Sequence, residues 1–323
     1  MRIAVVMDPI ETVSVDKDTS FALMLEAQSR GHEVLYLSHR DLWVHGDTLR
    51  AIVRPVTLTR AEPPAHAVVG APREVDVATL DAVLIRTDPP FDDAYLYTTH
   101  LLELVRGRVL VVNDPRGLRD ANEKLYALHF ADVMPKTIVT HHAKHIREFV
   151  REVGGRGVIK PLDGAGGRGV MVLSEGDLNF NAIVEATTHD GRRLAMVQEF
   201  LPAVRKGDKR ILLLDGEPLG AINRVPRDDE ARSNIHVGGR VEPTQLSALE
   251  EAIVRRVAPK LRADGLYFVG LDVIGEKLTE VNVTSPTGIQ ELSRFNGTDP
   301  EGKVLTWIEI NARKLRDSRR PGS

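Results

Sequence analysis

The apolar positions in the first third of the chain form short continuous runs that alternate with stretches of helical spacing. Runs typical of buried strands cover residues 3–7, 34–37, 82–85 and 109–112, and helical spacing covers residues 20–30 and 93–105. Buried strands that alternate with helices predict a mostly parallel, doubly wound sheet, because helices cover both of its faces. Residues 61–78, rich in Pro and Ala, predict a long connection or an irregular insertion.

After about residue 122 the pattern changes, and strands dominate. A helix is expected at residues 123–132, a strand at 136–140 and a helix at 142–153. Further strands are expected at residues 157–162, 169–173, 194–201, 210–214 and 219–225. The dipeptide Asp215-Gly216 is a tight-turn signal and predicts that the last two strands form a hairpin.

The last hundred residues contain one polar stretch and several regular patterns. We expect residues 227–239 to move, and residues 316–323 to form a disordered tail. Between them the pattern predicts a helix at 245–264, a hairpin at 267–283 and a closing helix at 303–315.

Composition narrows the functional class. The 323 residues suit two or three domains, and the net charge of −3 provides no basic field for nucleic acid or anionic membranes. The chain has no cysteine, which excludes disulfides, thiolate metal sites and cysteine nucleophiles. The N-terminal apolar run is too short for a signal peptide or a membrane span, so we expect a cytoplasmic protein.

Residues 163–169 contain four glycines. They match the dinucleotide-binding pattern only formally, because a strand rather than a helix is predicted to follow them. A Walker A loop is excluded because no Lys-Ser or Lys-Thr pair follows, and residues 39–42 resemble a kinase catalytic loop but precede the glycines. What remains is a glycine-rich hairpin whose backbone N–H groups can approach phosphate, with a plain flexible turn as the alternative.

Two lysines could meet that phosphate. Lys160 ends an apolar strand directly before the glycines, and a lysine in such a strand loses hydration unless it meets an anion. The alternative is an edge lysine that points to solvent. Lys124 follows Asn122 and Glu123 at the start of a predicted helix, where exposed lysines are also common.

The hairpin near residue 275 predicts a metal site. A three-residue turn over 275–277 places Asp272 opposite Glu280, and Asn282 shares their face. Because two facing carboxylates repel each other unless a cation lies between them, these oxygen ligands favour Mg²⁺ beside nucleotide phosphates. A solvated face is the alternative, but it does not explain an asparagine between valines. The valines predicted to face a core are Val273, Val281 and Val283.

Together these features resemble the ATP-grasp superfamily, and within it the prokaryotic glutathione synthetases. The resemblance spans nearly the whole chain, through residues 6–10, 18–22, 25–28, 86–92, 118–125, 160–164, 207–210, 269–275 and 279–287. The blocks at 88–92 and 280–287 are typical of that family rather than of ATP-grasp enzymes in general. The chain departs from its relatives in the acidic residues 228–230 and in the bulky Arg168 of the glycine loop.

The resemblance implies an α/β fold whose C-terminal part is α+β. A doubly wound N-terminal domain would cover residues 1–122, an ATP-grasp lid subdomain 123–200 and a C-terminal subdomain 201–316, followed by a disordered tail at 317–323. ATP would lie between the two subdomains, and the assembly would be a homotetramer.

The resemblance also implies roles for individual residues. ATP would contact Lys124, Lys160, Asp163, Gly164, Gly166, Gly167, Gly169, Gln198, Glu199, Phe200, Leu201 and Lys209. Arg210 and Arg224 would steady the transferred phosphoryl group, and two Mg²⁺ ions, with Mn²⁺ as an alternative, would be bound by Asp272, Glu280 and Asn282. The substrate would contact Arg86, Ser285 and Thr287. For Arg86, a structural salt bridge with Asp88 or Asp92 is an equal alternative.

The activity implied is ATP-dependent joining of γ-glutamylcysteine and glycine to glutathione through an acylphosphate. The first alternative is another ATP-grasp ligase with a different acid or amine, which the block at 88–92 disfavours. The second is a catalytically silent ATP-binding regulator, which the complete set of lysines, glycines and carboxylates disfavours.

Overall fold

The computed structural model of the protein describes residues 1–226 and 240–319. The strands are β1 (Arg2–Val6), β2 (Glu33–Leu37), β3 (Leu42–His45), β4 (Thr48–Leu58), β5 (Ala67–Val69), β6 (Arg73–Asp76), β7 (Ala82–Ile85), β8 (Leu110–Val112), β9 (Thr137–Thr140), β10 (Arg156–Pro161), β11 (Met171–Ser174), β12 (Ala195–Glu199), β13 (Asp208–Leu214), β14 (Glu217–Val225), β15 (Arg240–Thr244), β16 (Phe268–Ile274) and β17 (Lys277–Asn282).

Eight α-helices lie in the described part of the chain: α1 (Thr19–Ser29), α2 (Asp93–Glu103), α3 (Pro115–Asp120), α4 (Ala143–Glu152), α5 (Phe180–Thr188), α6 (Ala248–Ala263), α7 (Ile289–Asn296) and α8 (Pro300–Asp317). Short 3₁₀ helices cover Ile10–Thr12, His39–Asp41, Val77–Thr79, Tyr126–Val133 and Pro202–Lys206. No helix within residues 1–226 and 240–319 is long and apolar enough to cross a bilayer.

The N-terminal sheet has the order β3-β4-β2-β1-β7-β8. Its central strands β2, β1, β7 and β8 pair in parallel, as the buried runs predict. The sequence analysis did not predict the antiparallel strand β4. The expectation of an irregular segment at residues 61–78 is wrong, because β5 and β6 lie in that segment and both pair with β4. Residues of β4 alternate between buried and exposed, a weaker signal than a continuous apolar run.

The middle sheet, β11-β10-β12-β9, is antiparallel throughout. Helix α5, which packs against this sheet, was missed from the sequence. The helix expected at residues 123–132 is also wrong: α3 ends at Asp120, and a 3₁₀ helix follows with a non-helical backbone at Phe130.

The last sheet has the order β15-β14-β13-β16-β17. The hairpin predicted at Asp215-Gly216 is confirmed, with φ values of 51° and 75° that suit the mirror-image turn. Helix α8 continues to Asp317, so residues 316–317 are not a disordered tail. Two predictions fall outside the described residues: the moving stretch at 227–239 and the end of the predicted tail at 320–323.

The apolar cores join the first and last sheets. One cluster contains Val6 with Leu271, and a second contains Ile3 with Leu212. A third cluster, which includes Ile159, belongs to the middle sheet and its helices alone. The middle sheet therefore has a core of its own, whereas the outer two sheets share theirs.

Candidate active site

A cavity of about 580 Å³ is lined by residues of the middle and last sheets. Most of the site residues predicted from the sequence line it: Lys124, Lys160, Gly164, Gly166, Gly167, Gln198, Glu199, Phe200, Leu201, Arg210, Arg224, Asp272, Glu280, Asn282, Ser285 and Thr287. These residues are scattered over more than 160 positions of the chain, so the fold collects them into one site.

Three residues predicted to contact ATP do not line this cavity. Asp163 is exposed and forms an ion pair with Arg193, with 3.0 Å between Oδ2 and Nη1. Gly169 has a φ of +71°, and a Cβ there would lie 2.9 Å from Cγ of Pro161, which accounts for a glycine without any ligand. These two positions have contacts outside the cavity, and their predicted contacts with ATP stay predictions.

Lys209 is the third such residue. It precedes Arg210 on β13 and points to the opposite face, because side chains alternate along a strand. Its Nζ donates to the backbone oxygen of Gln245 at 2.8 Å and to Oε2 of Glu250 at 2.7 Å. These contacts tie β13 to the start of α6, outside the cavity, and the predicted ATP contact of Lys209 stays a prediction.

Arg86 also lies away from the cavity. It is 5% exposed, and it donates from Nε to Oγ of Ser20 at 3.1 Å and from Nη2 to the backbone oxygen of Pro286 at 2.9 Å. Neither Asp88 nor Asp92 forms an ion pair with it within the described residues. Both sequence-based interpretations, a direct substrate anchor and a salt bridge, thus differ from the observed contacts.

The carboxylate hairpin β16–β17 has the predicted pairing but a different turn. Asp272 lies opposite Glu280, as expected. The turn has two residues, Gly275 and Glu276, with φ values of 54° and 62°, instead of three. A bulge beside Asp272 restores the register that the shorter turn would have shifted. The three flanking valines are buried, as predicted.

Two arginines neutralise Asp272. Arg210 donates to both of its carboxylate oxygens, and Nη2 of Arg224 lies 3.0 Å from Oδ2 of Asp272 and 2.6 Å from Oδ2 of Asp208. Burial alone would raise the pKa of Asp272, but Arg210 and Arg224 outweigh it and hold the pKa below the ordinary value. Burial would lower the pKa of Arg224, and Asp208 and Asp272 instead raise it.

Lys124 connects the hairpin to the glycine loop. Its Nζ lies 3.1 Å from Oε1 of Glu280 and donates to the backbone oxygen of Gly164. Lys160 forms no hydrogen bond or ion pair with any described residue. Burial lowers its pKa, and Glu280 opposes that shift. A half-buried lysine without a close anion is a ready site for phosphate.

The glycine loop connects β10 and β11, as predicted. Gly166 and Gly167 have φ values of 63° and 77°, which side chains rarely adopt. A Cβ on Gly164 would lie 2.8 Å from Cγ of Pro161 and 2.9 Å from the backbone oxygen of Arg168. Glycine is therefore required here for conformation and for space.

Two carboxylates of the site were missed from the sequence. Asp208 pairs with Arg224, and its position two residues before Arg210 on one strand was an available signal. Oε1 of Glu123 accepts hydrogen bonds from the backbone of Val283 and from the backbone and hydroxyl of Thr284. Burial is the largest cause that raises the pKa of Glu123, and the negative charge of Glu280 raises this pKa further. No local pattern indicated that contact.

Family models match almost all of the chain. The model described as the prokaryotic glutathione synthetase N-terminal domain matches residues 1–119, and the prokaryotic glutathione synthetase ATP-grasp domain matches residues 123–297. The chain belongs to the prokaryotic glutathione synthetase family. The resemblance read from the sequence is thereby confirmed.

Individual relatives extend along the same length. The glutathione synthetase of Agrobacterium fabrum is 45% identical over 317 residues, covering 98% of this chain and 98% of its own. That of Gloeobacter violaceus is 48% identical over 314 residues, covering 95% and 96%. The cavity thus lies in a chain that aligns with these two relatives over at least 95% of its length.

Solved structures of proteins with low sequence identity to this chain share the fold. The D-cycloserine synthetase DcsG superposes with a TM-score of 0.65 at 15% identity, covering 98% of this chain and 100% of its own. A RimK domain ATP-grasp protein from Sphaerobacter thermophilus has a TM-score of 0.60 at 19% identity, covering 95% and 99%. These similarities confirm the fold class predicted from the sequence.

Oxygen donors, rather than a closed set of metal ligands, line the cavity beside β16 and β17. No group of three histidines, carboxylates or cysteines within residues 1–226 and 240–319 converges on a metal position. Asp272, Glu280 and Asn282 nevertheless all face the cavity. Their carboxylate and amide oxygens fit Mg²⁺, which needs only one or two protein carboxylates when phosphates supply further ligands.

Proposed function

We propose that this chain joins γ-glutamylcysteine to glycine with consumption of ATP, forming glutathione, ADP and phosphate. Family membership and the two relatives named glutathione synthetase support the reaction class. The observation that carries the proposal is one cavity that unites the glycine loop and Lys160 with the neutralised carboxylate Asp272 and its two arginines.

The chemistry follows from the weakness of a carboxylate as an electrophile. The γ-phosphoryl group of ATP passes to the cysteinyl carboxylate of γ-glutamylcysteine, so ADP leaves and an acylphosphate forms. The amine of glycine attacks its carbonyl carbon, the C–O bond to phosphate breaks, and the amine loses a proton. Phosphoryl transfer needs positioning and charge neutralisation more than covalent help from the protein.

The cations of the cavity suit that task. We assign contacts with the β- and γ-phosphates to Lys124 and Lys160, and contacts with the transferred phosphoryl group to Arg210 and Arg224. Both arginines are held by buried carboxylates, so they are oriented before substrate binds. Their positions would then change little during the reaction.

The adenine ring would lie against residues 198–201. Gln198 is buried at the end of β12, and the ring of Phe200 is covered by Arg156 at 4.0 Å. The apolar side chains of Val158, Met171 and Val204 also line the cavity there. Such a slot suits a flat heterocycle.

Charge balance supports a metal requirement. At the phosphate end, the cations Lys124, Arg210 and Arg224 are already matched by carboxylates. A bound triphosphate adds several negative charges, which favours additional cations held by the remaining lone pairs of Asp272 and Glu280 and by the amide oxygen of Asn282. Mg²⁺ bound there would neutralise the phosphate oxygens and increase the electrophilicity of the γ-phosphorus. We predict that two Mg²⁺ ions bind there, with Mn²⁺ as an alternative.

The division of the chain into domains is also a proposal. We assign residues 1–122 to an N-terminal domain, 123–200 to a lid and 201–316 to the C-terminal ATP-grasp subdomain. The separate apolar core of the middle sheet supports a lid that moves as a body. A cytoplasmic homotetramer remains our expectation, and sedimentation of the purified chain tests its size.

Mass spectrometry of the products tests the reaction. The purified chain is incubated with ATP, Mg²⁺, γ-glutamylcysteine and a mixture of amino acids, and ADP release is followed in parallel. We expect glutathione as the main product, formed together with ADP. A different condensation product would indicate another ATP-grasp ligase, and ATP binding without any product would indicate a regulator.

A further inference from the structure

Strand β10 turns one of its faces toward the cavity. Val158 and Lys160 both line the cavity, whereas Ile159 between them belongs to the core of the middle sheet. Arg156 begins β10, and it shares the face of Val158 because side chains two residues apart in a strand point the same way. Lys160 is at the end of this row that we assign to phosphate. Arg156 is therefore at the other end, beyond the apolar slot that we assign to the nucleotide base.

Phe200 adjoins Arg156 at that end of the row. Its backbone N–H donates to the backbone oxygen of Arg156 at 3.2 Å, which extends the pairing of β10 with β12 past Glu199. The guanidinium carbon of Arg156 lies 4.0 Å from the centre of the Phe200 ring. Phe200 lines the cavity, and Arg156 does not. The ring thus meets the arginine outside the cavity and borders the cavity with the rest of its surface.

The contact with Phe200 is what directs the side chain of Arg156. Its guanidinium forms no hydrogen bond or ion pair with residues 1–226 or 240–319, whereas the guanidinium of Arg151 on α4 lies 2.8 Å from a carboxylate oxygen of Glu175. The side chain of Arg156 is exposed, so water hydrates its charge. What fixes it over the ring is the attraction between a cation and the negative face of an aromatic ring.

We infer that Arg156 is a positioning residue that holds the ring of Phe200 as the outer wall of the base slot, without touching the nucleotide. The inference deepens the proposed function and rests on it. A ring that is held before the nucleotide binds offers a flat base a stacking surface already in place. The phosphate end of the cavity lies beyond Val158, at Lys160. Loss of Arg156 should therefore weaken binding of the base and leave binding of the phosphates unchanged.

Binding of two ligands to Arg156→Met tests this. A non-hydrolysable ATP analogue fills the base slot and the phosphate end, whereas inorganic tripolyphosphate can fill only the phosphate end. With Mg²⁺ present, calorimetry should show the Kd of the analogue rising about threefold, as expected for one exposed cation–π contact, and that of tripolyphosphate changing less than about 1.5-fold. Arg156→Lys keeps a cation beside the ring and should recover part of the loss.

A double-mutant cycle tests whether Arg156 acts through Phe200. Phe200→Leu removes the ring, and we expect it to weaken binding of the analogue more than Arg156→Met does. If the arginine acts by holding the ring, Arg156→Met added to Phe200→Leu causes no further loss. A further threefold loss in the double variant would mean that Arg156 acts on the nucleotide directly, and it would overturn the inference.

Arg151→Met is the matched control. It removes an exposed arginine that precedes the same strand and pairs with Glu175, and it leaves the Phe200 ring covered. We expect both affinities to stay unchanged. An equal loss of analogue binding in Arg151→Met and Arg156→Met would indicate a general effect of charge and would contradict the inference. Unchanged affinities in Arg156→Met, or equal losses for the two ligands, would contradict it as well.

These measurements need no turnover, so they separate the inference from the proposed function. An original chain that binds the analogue but forms no glutathione would overturn the proposed function, and the cycle with Phe200→Leu would still test Arg156. An original chain that forms glutathione, with an Arg156→Met variant that binds both ligands as tightly, would overturn the inference alone.

Discussion

The two hairpins that border the cavity are built in opposite ways. The glycine loop between β10 and β11 belongs to the sheet with its own core, and its residues are partly or fully exposed. The carboxylate hairpin β16–β17 lies in the core shared by the outer sheets, and Leu271 and Val281 are fully buried in it. In the proposed reaction, the charges that must be in place beforehand would lie on the buried, rigid hairpin. The backbone that would close over phosphate would lie on the exposed, compliant hairpin.

The largest effect should come from Asp272→Asn in the rigid hairpin. The change leaves Arg210 and Arg224 with one neutral partner in place of a carboxylate, so we expect a loss of about 3–5 kcal/mol in unfolding free energy. Glutathione formation should fall at least about a hundredfold. Urea unfolding and ADP release measure the two effects.

Glu152→Gln is the control for Asp272→Asn. Glu152 pairs with Lys136 at 3.4 Å, and both side chains are more than half exposed. Loss of such a pair should change stability by less than about 1 kcal/mol. If Asp272→Asn were as stable and active as this control, the rigid hairpin would not be the organising element of the site.

The next effect compares two lysines on neighbouring sheets. Lys160→Met removes the cation that lines the cavity without a partner in the described residues, so the KM for ATP should rise about ten- to a hundredfold. Lys209→Met breaks the pair with Glu250 and should lower stability while leaving the KM for ATP near its original value. An equal rise in both variants would contradict the assigned orientation of Lys209.

A smaller effect is expected in the compliant hairpin. Gly166→Ala forces a side chain into a backbone with φ of 63°, which costs roughly 1 kcal/mol and should raise the KM for ATP severalfold. Gly176, with φ of 82° and open space around its Cβ position, provides the matched change outside the cavity. Gly176→Ala should show similar strain in thermal unfolding and an unchanged KM.

The last comparison concerns the pH dependence of stability due to Asp272. Because its pKa in the folded protein lies below the ordinary value of 3.8, the carboxylate contributes stability that is complete above that value and is lost as pH falls through the folded pKa. Between about pH 5 and pH 2, the unfolding free energy of Asp272→Asn should therefore fall less steeply than that of the original chain, by up to about 1.4 kcal/mol per pH unit. Parallel slopes in urea unfolding would contradict the low pKa.

The carboxylate hairpin shows how far local sequence rules reach. Alternation along the strands was enough to place Asp272 opposite Glu280, although the predicted three-residue turn was wrong. The bulge beside Asp272 compensated for the shorter turn, and no local pattern had indicated it. Strand β4 and helix α5 were missed because their apolar positions produce weaker periodic signals than the continuous runs.

The sequence by itself determined the chemical groups of this protein: a glycine-rich loop, unusually placed lysines and paired carboxylates, along with the family to which they belong. Such features depend on residue type and on spacing within one or two strands. Only the tertiary structure decided that Lys209 faces α6, that Glu123 holds the end of β17, and that Arg86 reaches Pro286 rather than the cavity. Those contacts join residues separated by 36 to 200 positions, so they depend on how the sheets pack and not on any local pattern.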